Sequence, residues 1–450
     1  MIDVPLLRRF VLLALVVGFP PASARAQDVA RMDAIVRSYV DDKTFMGAVL
    51  VARDGNVLLS RGYGQANLEW QIPNTPTTKF RLGSLTKQFT AAAVLLLEER
   101  GKLKIDDLVK VHMPDAPAAW GGITIFHLLT HTSGIPNFTA LPEYRQMQVF
   151  DTPVVEIVAK TRDKPLEFVP GDRMNYSNSG YVLLGYLIEQ ISGQSYAQFV
   201  TENLFAPLGM TDSGYDSNAS VIARRASGYA PGANGPVNAG FIHMSIPHAA
   251  GALYSTAEDL LRWEQGLFGG KILSAASLRK MTTPFKNGYA LGLAVTTVDG
   301  RQRISHNGGI EGFNTALDYY PESKIVVLAL SNLNGPAADQ IAAQLGKSAH
   351  GEAVVLTSER KEITLPPQVL ERYAGSYVFR PGLDMVVTVE DGRLMTQLGP
   401  QPKVPIFPES ATSFFARVVN AQIEFKLDAA GRVTALVLRQ GPANLEAPRK

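Results

Sequence analysis

Residues 80–101 read FRLGSLTKQFTAAAVLLLEERG. From Leu85 to Arg100 the pattern is helical, with Phe89, Ala92, Ala93, Leu96 and Leu97 on one stripe and Gly101 placed to stop the helix. Ser84 therefore sits where that helix begins. Ser84-Leu85-Thr86-Lys87 sets a hydroxyl and an amine three residues apart on one face, so the two side chains can meet. The helix start adds positive potential and free backbone N–H groups, which would stabilise the oxyanion formed when Ser84 attacks a carbonyl.

Strand signals flank this helix at a distance. Met46 to Ala52 and Asn56 to Arg61 are β-prone runs joined by Asp54-Gly55, a pair suited to a two-residue hairpin turn. Tyr289 to Val298, Ile304 to Gly308, Phe313 to Tyr320 and Ile325 to Ser331 form a later series, separated by Asp299-Gly300 and Pro321-Glu322-Ser323. Between them lie helical patterns at Gly180 to Ile191, ended by Gly193, and at Thr256 to Gln265, where Ser255 and Glu258 form a capping pair. Strands at both ends with helices between imply one sheet closed by distant segments. Past residue 350 the composition shifts, and Pro366-Pro367 reads as a stiff linker. Beyond it Tyr373 to Phe379, Met385 to Glu390, Arg393 to Gln397, Ser413 to Val419, Gln422 to Leu427 and Val433 to Arg439 read as strands of a small β-barrel or sandwich, followed by a loose polar tail.

Composition restricts the chemistry. The 450 residues are 46% apolar and 19% charged, and 43 basic residues face 41 acidic ones. A balance this even offers no basic field for nucleic acid. There is no cysteine, which rules out disulfides, thiol nucleophiles and thiolate metal sites. Arg8 and Arg9 precede the apolar run Phe10 to Phe19, and Ala24-Arg25-Ala26 supplies a small-x-small cleavage pattern. Residues 1–26 are thus expected to be a signal peptide, too short to span a bilayer, and the mature chain to be exported, periplasmic or secreted, without stable membrane insertion. The expected domains are 27–350, a linker at 351–368 and a β unit at 369–450.

Two more elements complete the candidate site. Tyr176-Ser177-Asn178 is the only Tyr-x-Asn in the chain and falls just before an apolar helix. Near Lys87 and a helix start the phenolate is favoured, which makes Tyr176 a candidate base for Ser84. His306-Asn307-Gly308-Gly309 lies on a strand, and its glycines let a substrate backbone lie alongside. Decoys exist. Ser277-Leu278-Arg279-Lys280 and Ser358-Glu359-Arg360-Lys361 repeat the Ser-x-x-Lys spacing, and both serines are expected to face solvent. Lys286-Asn287-Gly288 is expected to be a surface turn. His127 and His131 stand four apart as in a helical zinc site, but no glutamate follows His127 and no third ligand is evident nearby. No serine has the flanking glycines of an α/β-hydrolase elbow.

Together these residues resemble the penicillin-recognising serine hydrolases: class C β-lactamases, D-alanyl-D-alanine carboxypeptidases, D-aminopeptidases and related esterases. The resemblance covers roughly residues 45–345. It includes Phe80-Arg81-Leu82-Gly83, His127-Leu128-Leu129-Thr130-His131-Thr132-Ser133-Gly134, Pro207-Leu208-Gly209-Met210 and Leu253-Tyr254-Ser255-Thr256-Ala257. It implies an α+β domain, an antiparallel sheet flanked by helices with a helical subdomain, and a lipocalin-like barrel after it. By the same resemblance Ser84 is acylated, Lys87 and Tyr176 share the proton traffic, and Asn178, His306 and Gly308 bind substrate. The backbone N–H groups of Ser84 and Gly309 form the oxyanion hole, and no metal or organic cofactor is needed. Where class C enzymes usually carry lysine this chain has His306, whose neutral ring holds a carboxylate less well. A peptidase or esterase acting on a peptide or small molecule is therefore expected, with a β-lactamase or a non-enzymatic β-lactam sensor as the alternatives. Oligomeric state is left open.

Overall fold

The computed structural model describes residues 22–417, 421–440 and 443–450. Most of the expected signal peptide lies outside these residues; the described chain opens with helix α1, Ala22–Asp41. The hairpin strands β1, Gly47–Arg53, and β2, Asn56–Tyr63, follow. Asp54 and Gly55 hold φ of 48° and 80°, the paired positive angles of a tight hairpin turn.

The Ser84 segment then makes a 3₁₀ turn, Gly83–Leu85, which runs into α2, Thr86–Glu99. Every residue from Thr86 to Leu95 is buried, so the expected single stripe is in fact a helix enclosed on all sides. Helix α3, Asn178–Ser192, packs beside it and ends at Gly193, φ 72°. Helix α4, Ala257–Phe268, is capped by the Thr256 side chain, which accepts from Asp259 N, and not by Ser255, which is held in a short strand.

The late strands are β3, Ala294–Val298, β4, Arg301–Ile310, β5, Phe313–Tyr320, and β6, Ile325–Ser331. Residues 289–293, expected to extend β3, instead form bridges and turns before it. Together with the first hairpin these strands form one antiparallel sheet in the order β3-β4-β5-β6-β1-β2. The closing pair is β1 with β6, from Gly47 opposite Ser331 to Arg53 opposite Ile325. Both strands are buried on two faces because the alternation of side chains feeds two cores. Val49, Val51, Val327 and Ala329 meet α1 and helix α5, Ala337–Ala349, on one side, while Ala48, Leu50, Leu328 and Leu330 join the larger core around α2, α3 and α4.

The C-terminal unit contains eight strands in sequential order, from Gly375–Arg380 to Ala443–Pro448. Its ends approach through a Tyr377–Arg449 bridge and a Lys450 N to Ser376 O bond of 2.8 Å, so the barrel is nearly closed. Two of these strands go beyond the expectation. Val404–Pro408 carries two prolines, and Ala443–Pro448 falls in what reads as a loose tail but pairs with the strand Val433–Gln440. The reason is burial: Ala447 is fully enclosed in a core built on Tyr373, Tyr377, Phe414 and Phe425. Pro367 likewise starts a short helix, Pro367–Glu371, where a rigid linker was expected; its missing N–H costs nothing in the first turn.

A charge at this seam should open the barrel. Ala447→Asp is expected to destabilise the C-terminal unit by about 3 kcal/mol, read as a lowered urea midpoint; an unchanged midpoint would mean that the last strand is not part of the core.

Candidate active site

The Ser84 hydroxyl stands on a turn that only glycine could precede. Gly83 holds φ +54°, and a Cβ on it would fall 2.9 Å from the backbone N of Gly309. The turn is therefore pressed against β4. Gly308, expected to touch substrate, faces away from the cleft: a Cβ there would lie 2.0 Å from Leu82 O and 2.4 Å from Thr315 Oγ1. Thr315 itself donates to Leu82 O at 2.8 Å. Gly308 is thus a close-approach position that clamps the Ser84 turn to the sheet, and the neighbouring Gly309 is the one exposed on the cleft side.

Beneath Ser84 the Lys87 side chain is completely buried. Its Nζ lies 2.9 Å from Ser84 Oγ, 2.9 Å from Asn178 Oδ1 and 2.8 Å from Ala250 O. Burial holds this amine well below the ordinary lysine range, with no carboxylate to oppose it. A neutral amine has two N–H donors and one lone pair. The carbonyl of Ala250 and the amide oxygen of Asn178 can only accept, so they take the two donors and the lone pair is left for the Ser84 hydroxyl.

Tyr176 closes the other side. Its phenol lies near Ser84, and its ring centroid lies 4.8 Å from Lys87 Nζ. The phenol nevertheless departs from the sequence expectation. Burial pushes it above its usual range, so the phenolate is not favoured. The physical reason is the burial of the phenol itself, which penalises the charged form.

His306 is buried and belongs to a relay of neutral groups. Ser177 N donates to His131 Nδ1 at 3.1 Å, which leaves the proton of that ring on Nε2. His131 Nε2 is 3.2 Å from Tyr289 Oη, Tyr289 Oη is 3.0 Å from His306 Nε2, and His306 Nδ1 is 2.6 Å from Asn307 O. Since Asn307 O only accepts, His306 carries its proton on Nδ1, and Tyr289 donates to its Nε2. Burial depresses the His306 pKa to about 4, and burial lowers the His131 pKa as well. His131, Tyr289 and the Ala250 carbonyl are absent from the sequence-derived site. The phrase around His131 signalled it, but Tyr289 and Ala250 carry no local signal.

The remaining histidine of the suspected pair, His127, caps its own short helix: Thr124 N donates to its Nδ1 at 3.2 Å. The decoys separate from the site. Ser277 is buried, against expectation, because it packs under its own cap at Ser274, and Lys280 is drawn to Glu98 at 2.7 Å. Ser358 lies in a short turn before the barrel. Asn287 and Gly288 form the expected turn, with φ of 52° and 75°. Above Ser84, Asn178 and Gly309 opens a cleft of about 440 Å³ walled by Phe138, Tyr144, Ile242, Ile310 and Glu311.

Comparison with known families gives this geometry its context. A family model described as Beta-lactamase matches residues 32–350. The chain belongs to the β-lactamase family. It is a serine hydrolase, as expected from the Ser-x-x-Lys, Tyr-x-Asn and His-x-Gly elements. A second model, a domain of unknown function (DUF3471), matches residues 359–447. The chain is 31% identical over 415 residues to Penicillin-binding protein 4* of Bacillus subtilis, covering 85% of this chain and 90% of that one. Among solved structures, the octameric penicillin-binding protein homologue from Pyrococcus abyssi superposes with a TM-score of 0.66 at 26% identity, covering 93% of this chain and 100% of that chain. A D-stereospecific amidohydrolase from Streptomyces sp. gives 0.62 at 25% identity, covering 74% and 100%.

The relay makes a spectroscopic prediction. In ¹⁵N NMR, His306 is expected to keep its proton on Nδ1 through the neutral range and to titrate near pH 4. A midpoint at the ordinary 6.5 would show that its ring is solvated and not held by Tyr289.

Proposed function

We propose that this serine hydrolase is exported and acts through a Ser84 acyl-enzyme on amide or ester bonds, as a D-amino-acid-type peptidase or esterase. The observation that carries the reading is the buried Lys87, held well below its ordinary range by burial, whose Nζ stands 2.9 Å from Ser84 Oγ. In this mechanism Lys87 takes the hydroxyl proton as Oγ bonds to the substrate carbonyl carbon. The oxyanion forms between the N–H groups of Ser84 and Gly309. Tyr176, protonated at neutral pH, then gives its proton to the leaving amine or alcohol as the scissile bond breaks, and the proton held on Lys87 restores it. Water repeats the sequence in reverse and releases the acid. Asn178 keeps Lys87 oriented and offers its amide to the bound acyl chain.

Substrate class follows from charge. Among the described residues no lysine or arginine lines the cleft, and His306, which lines a neighbouring cavity with Tyr176 and Tyr289, is neutral. A penicillin or a peptide ending in D-alanine carries a carboxylate that would have no cation to meet it, which favours peptidase or esterase chemistry over a dedicated β-lactamase. The likeness to a D-stereospecific amidohydrolase supports the same choice. Export rests on the leader pattern of residues 1–26; among the described residues no helix is long and apolar enough to cross a membrane.

The test is covalent. A fluorophosphonate probe is expected to add its mass to the peptide containing Ser84, and Ser84→Ala to abolish both adduct and turnover. Lys87→Ala should slow acylation by about 10²- to 10⁴-fold, the range for loss of a general base, while the chain stays folded. Labelling at Ser277 or Ser358, or full activity without Lys87, would refute the assignment. Steady turnover of a D-amino acid anilide or a short aryl ester, against a burst without turnover on every substrate tried, separates the enzyme from a sensor.

A further inference from the structure

A carboxylate overhangs the cleft in which Ser84 stands. Strands β4 and β5 are joined by the two-residue turn Glu311-Gly312, with Ile310 opposite Phe313. Gly312 holds φ +83°, and a Cβ on it would fall 2.4 Å from Gly228 Cα, so the turn is pressed against a neighbouring loop and cannot swing outward. Asn334 ties down both sides of Glu311: its Nδ2 donates to Ile310 O at 3.0 Å and its Oδ1 accepts from Gly312 N at 2.8 Å. Glu311 is thereby fixed at the cleft wall two residues past Gly309, a span of roughly 7 Å along extended strand.

Among the described residues the carboxylate has no cation of its own. It feels its own backbone N–H, the Tyr144 phenol and the field of Arg81, and Arg81 is already bound to Asp216 at 2.6 Å. Half-burial without a counter-ion raises the Glu311 carboxyl above its ordinary range, which marks an unmet demand for positive charge. Among the described residues nothing else lining the cleft is charged. Phe138, Tyr144 and Ile242 supply apolar wall to the same cleft.

We infer that Glu311 is the specificity residue for acyl groups that carry a free α-ammonium, with an apolar side chain lying against Phe138, Tyr144 and Ile242. The inference rests on the Ser84 acyl-enzyme reading and names the substrate class within it. An α-ammonium sits on the carbon next to the scissile carbonyl. With the carbonyl oxygen between the Ser84 and Gly309 N–H groups, it comes within reach of a glutamate side chain anchored two residues beyond Gly309. The resulting bond is charge-assisted and partly shielded from water. Acyl groups ending in a carboxylate are repelled, and N-acylated ones lose the contact.

The test compares D-phenylalanine p-nitroanilide with its N-acetyl derivative, which share a leaving group. Wild-type enzyme is expected to favour the free amine by about 10- to 100-fold in kcat/KM, the span of a hydrogen bond to a charged group. Glu311→Gln is expected to collapse that ratio toward unity. An unchanged ratio in the variant, or a wild-type preference for the N-acetyl substrate, overturns the inference. Calorimetric titration of the Ser84→Ala variant, which cannot turn the ligands over, with D-phenylalaninamide and its N-acetyl form measures the same preference in binding alone. Equal affinity for the two amides overturns the inference whether or not turnover is seen. Fluorophosphonate labelling of Ser84 is run beside it; failure there sinks the acyl-enzyme reading and leaves the binding comparison to stand or fall by itself.

Discussion

The architecture depends on burying one lysine without a counter-ion. A charged ammonium in that position carries a desolvation cost of several kcal/mol, which holds the amine well below the ordinary lysine range. The chain then has to supply acceptors for two N–H groups from places remote in sequence: the Asn178 amide at the start of α3 and the Ala250 carbonyl in the short helix His248–Gly251. Helix α2, with Thr86, Lys87, Gln88 and Thr90 all enclosed, makes sense only inside this packing. Its polar members draw on distant partners, as where Thr90 meets the Ala249 carbonyl at 2.7 Å and Gln88 Oε1 accepts from Trp263 Nε1 at 2.7 Å. The same desolvation that tunes Lys87 therefore dictates how the helical region is wrapped around it.

A second consequence is that the groups around Ser84 are electrically quiet. Tyr176 keeps its proton, and His131, Tyr289 and His306 pass hydrogen bonds in one direction without a net charge among them. Preorganised neutral dipoles of this kind stabilise charge that develops during reaction without first attracting a counter-ion. Against that background a single carboxylate at the cleft wall has an influence that it would lack on an ordinary polar surface, where solvent and neighbouring ions screen it.

Glycines allow the parts to touch. Gly83, Gly308 and Gly312 each stand where a Cβ would fall between 2.0 and 2.9 Å from backbone atoms of another segment. These contacts bring the Ser84 turn against β4 and the β4–β5 turn against the loop at Gly228. The sheet is in turn held by the pairing of β1 with β6, which joins the two ends of the domain across some 280 residues of chain. Long-range pairing of this sort makes the position of the hydroxyl a property of the whole domain.

Local signals were enough to show the Asp54-Gly55 hairpin, the four late strands, the long helix behind Ser84 and the three polar elements of the site, because turn chemistry, period and capping are written in adjacent residues. They failed where burial overrode local character. Ala443–Pro448 looks polar yet closes the barrel through Ala447; Ser277 looks exposed yet is enclosed; Gly308 looks open to substrate yet clamps Leu82. Most of all, the residue types at Ser84, Lys87 and Tyr176 offered a hydroxyl, an amine and a phenol as candidates, whereas which of them holds a proton depended on dielectric surroundings that only the folded chain creates. A side chain's pKa answers to what lies within a few ångströms of it, and for Lys87 those atoms come from segments 91 and 163 residues away.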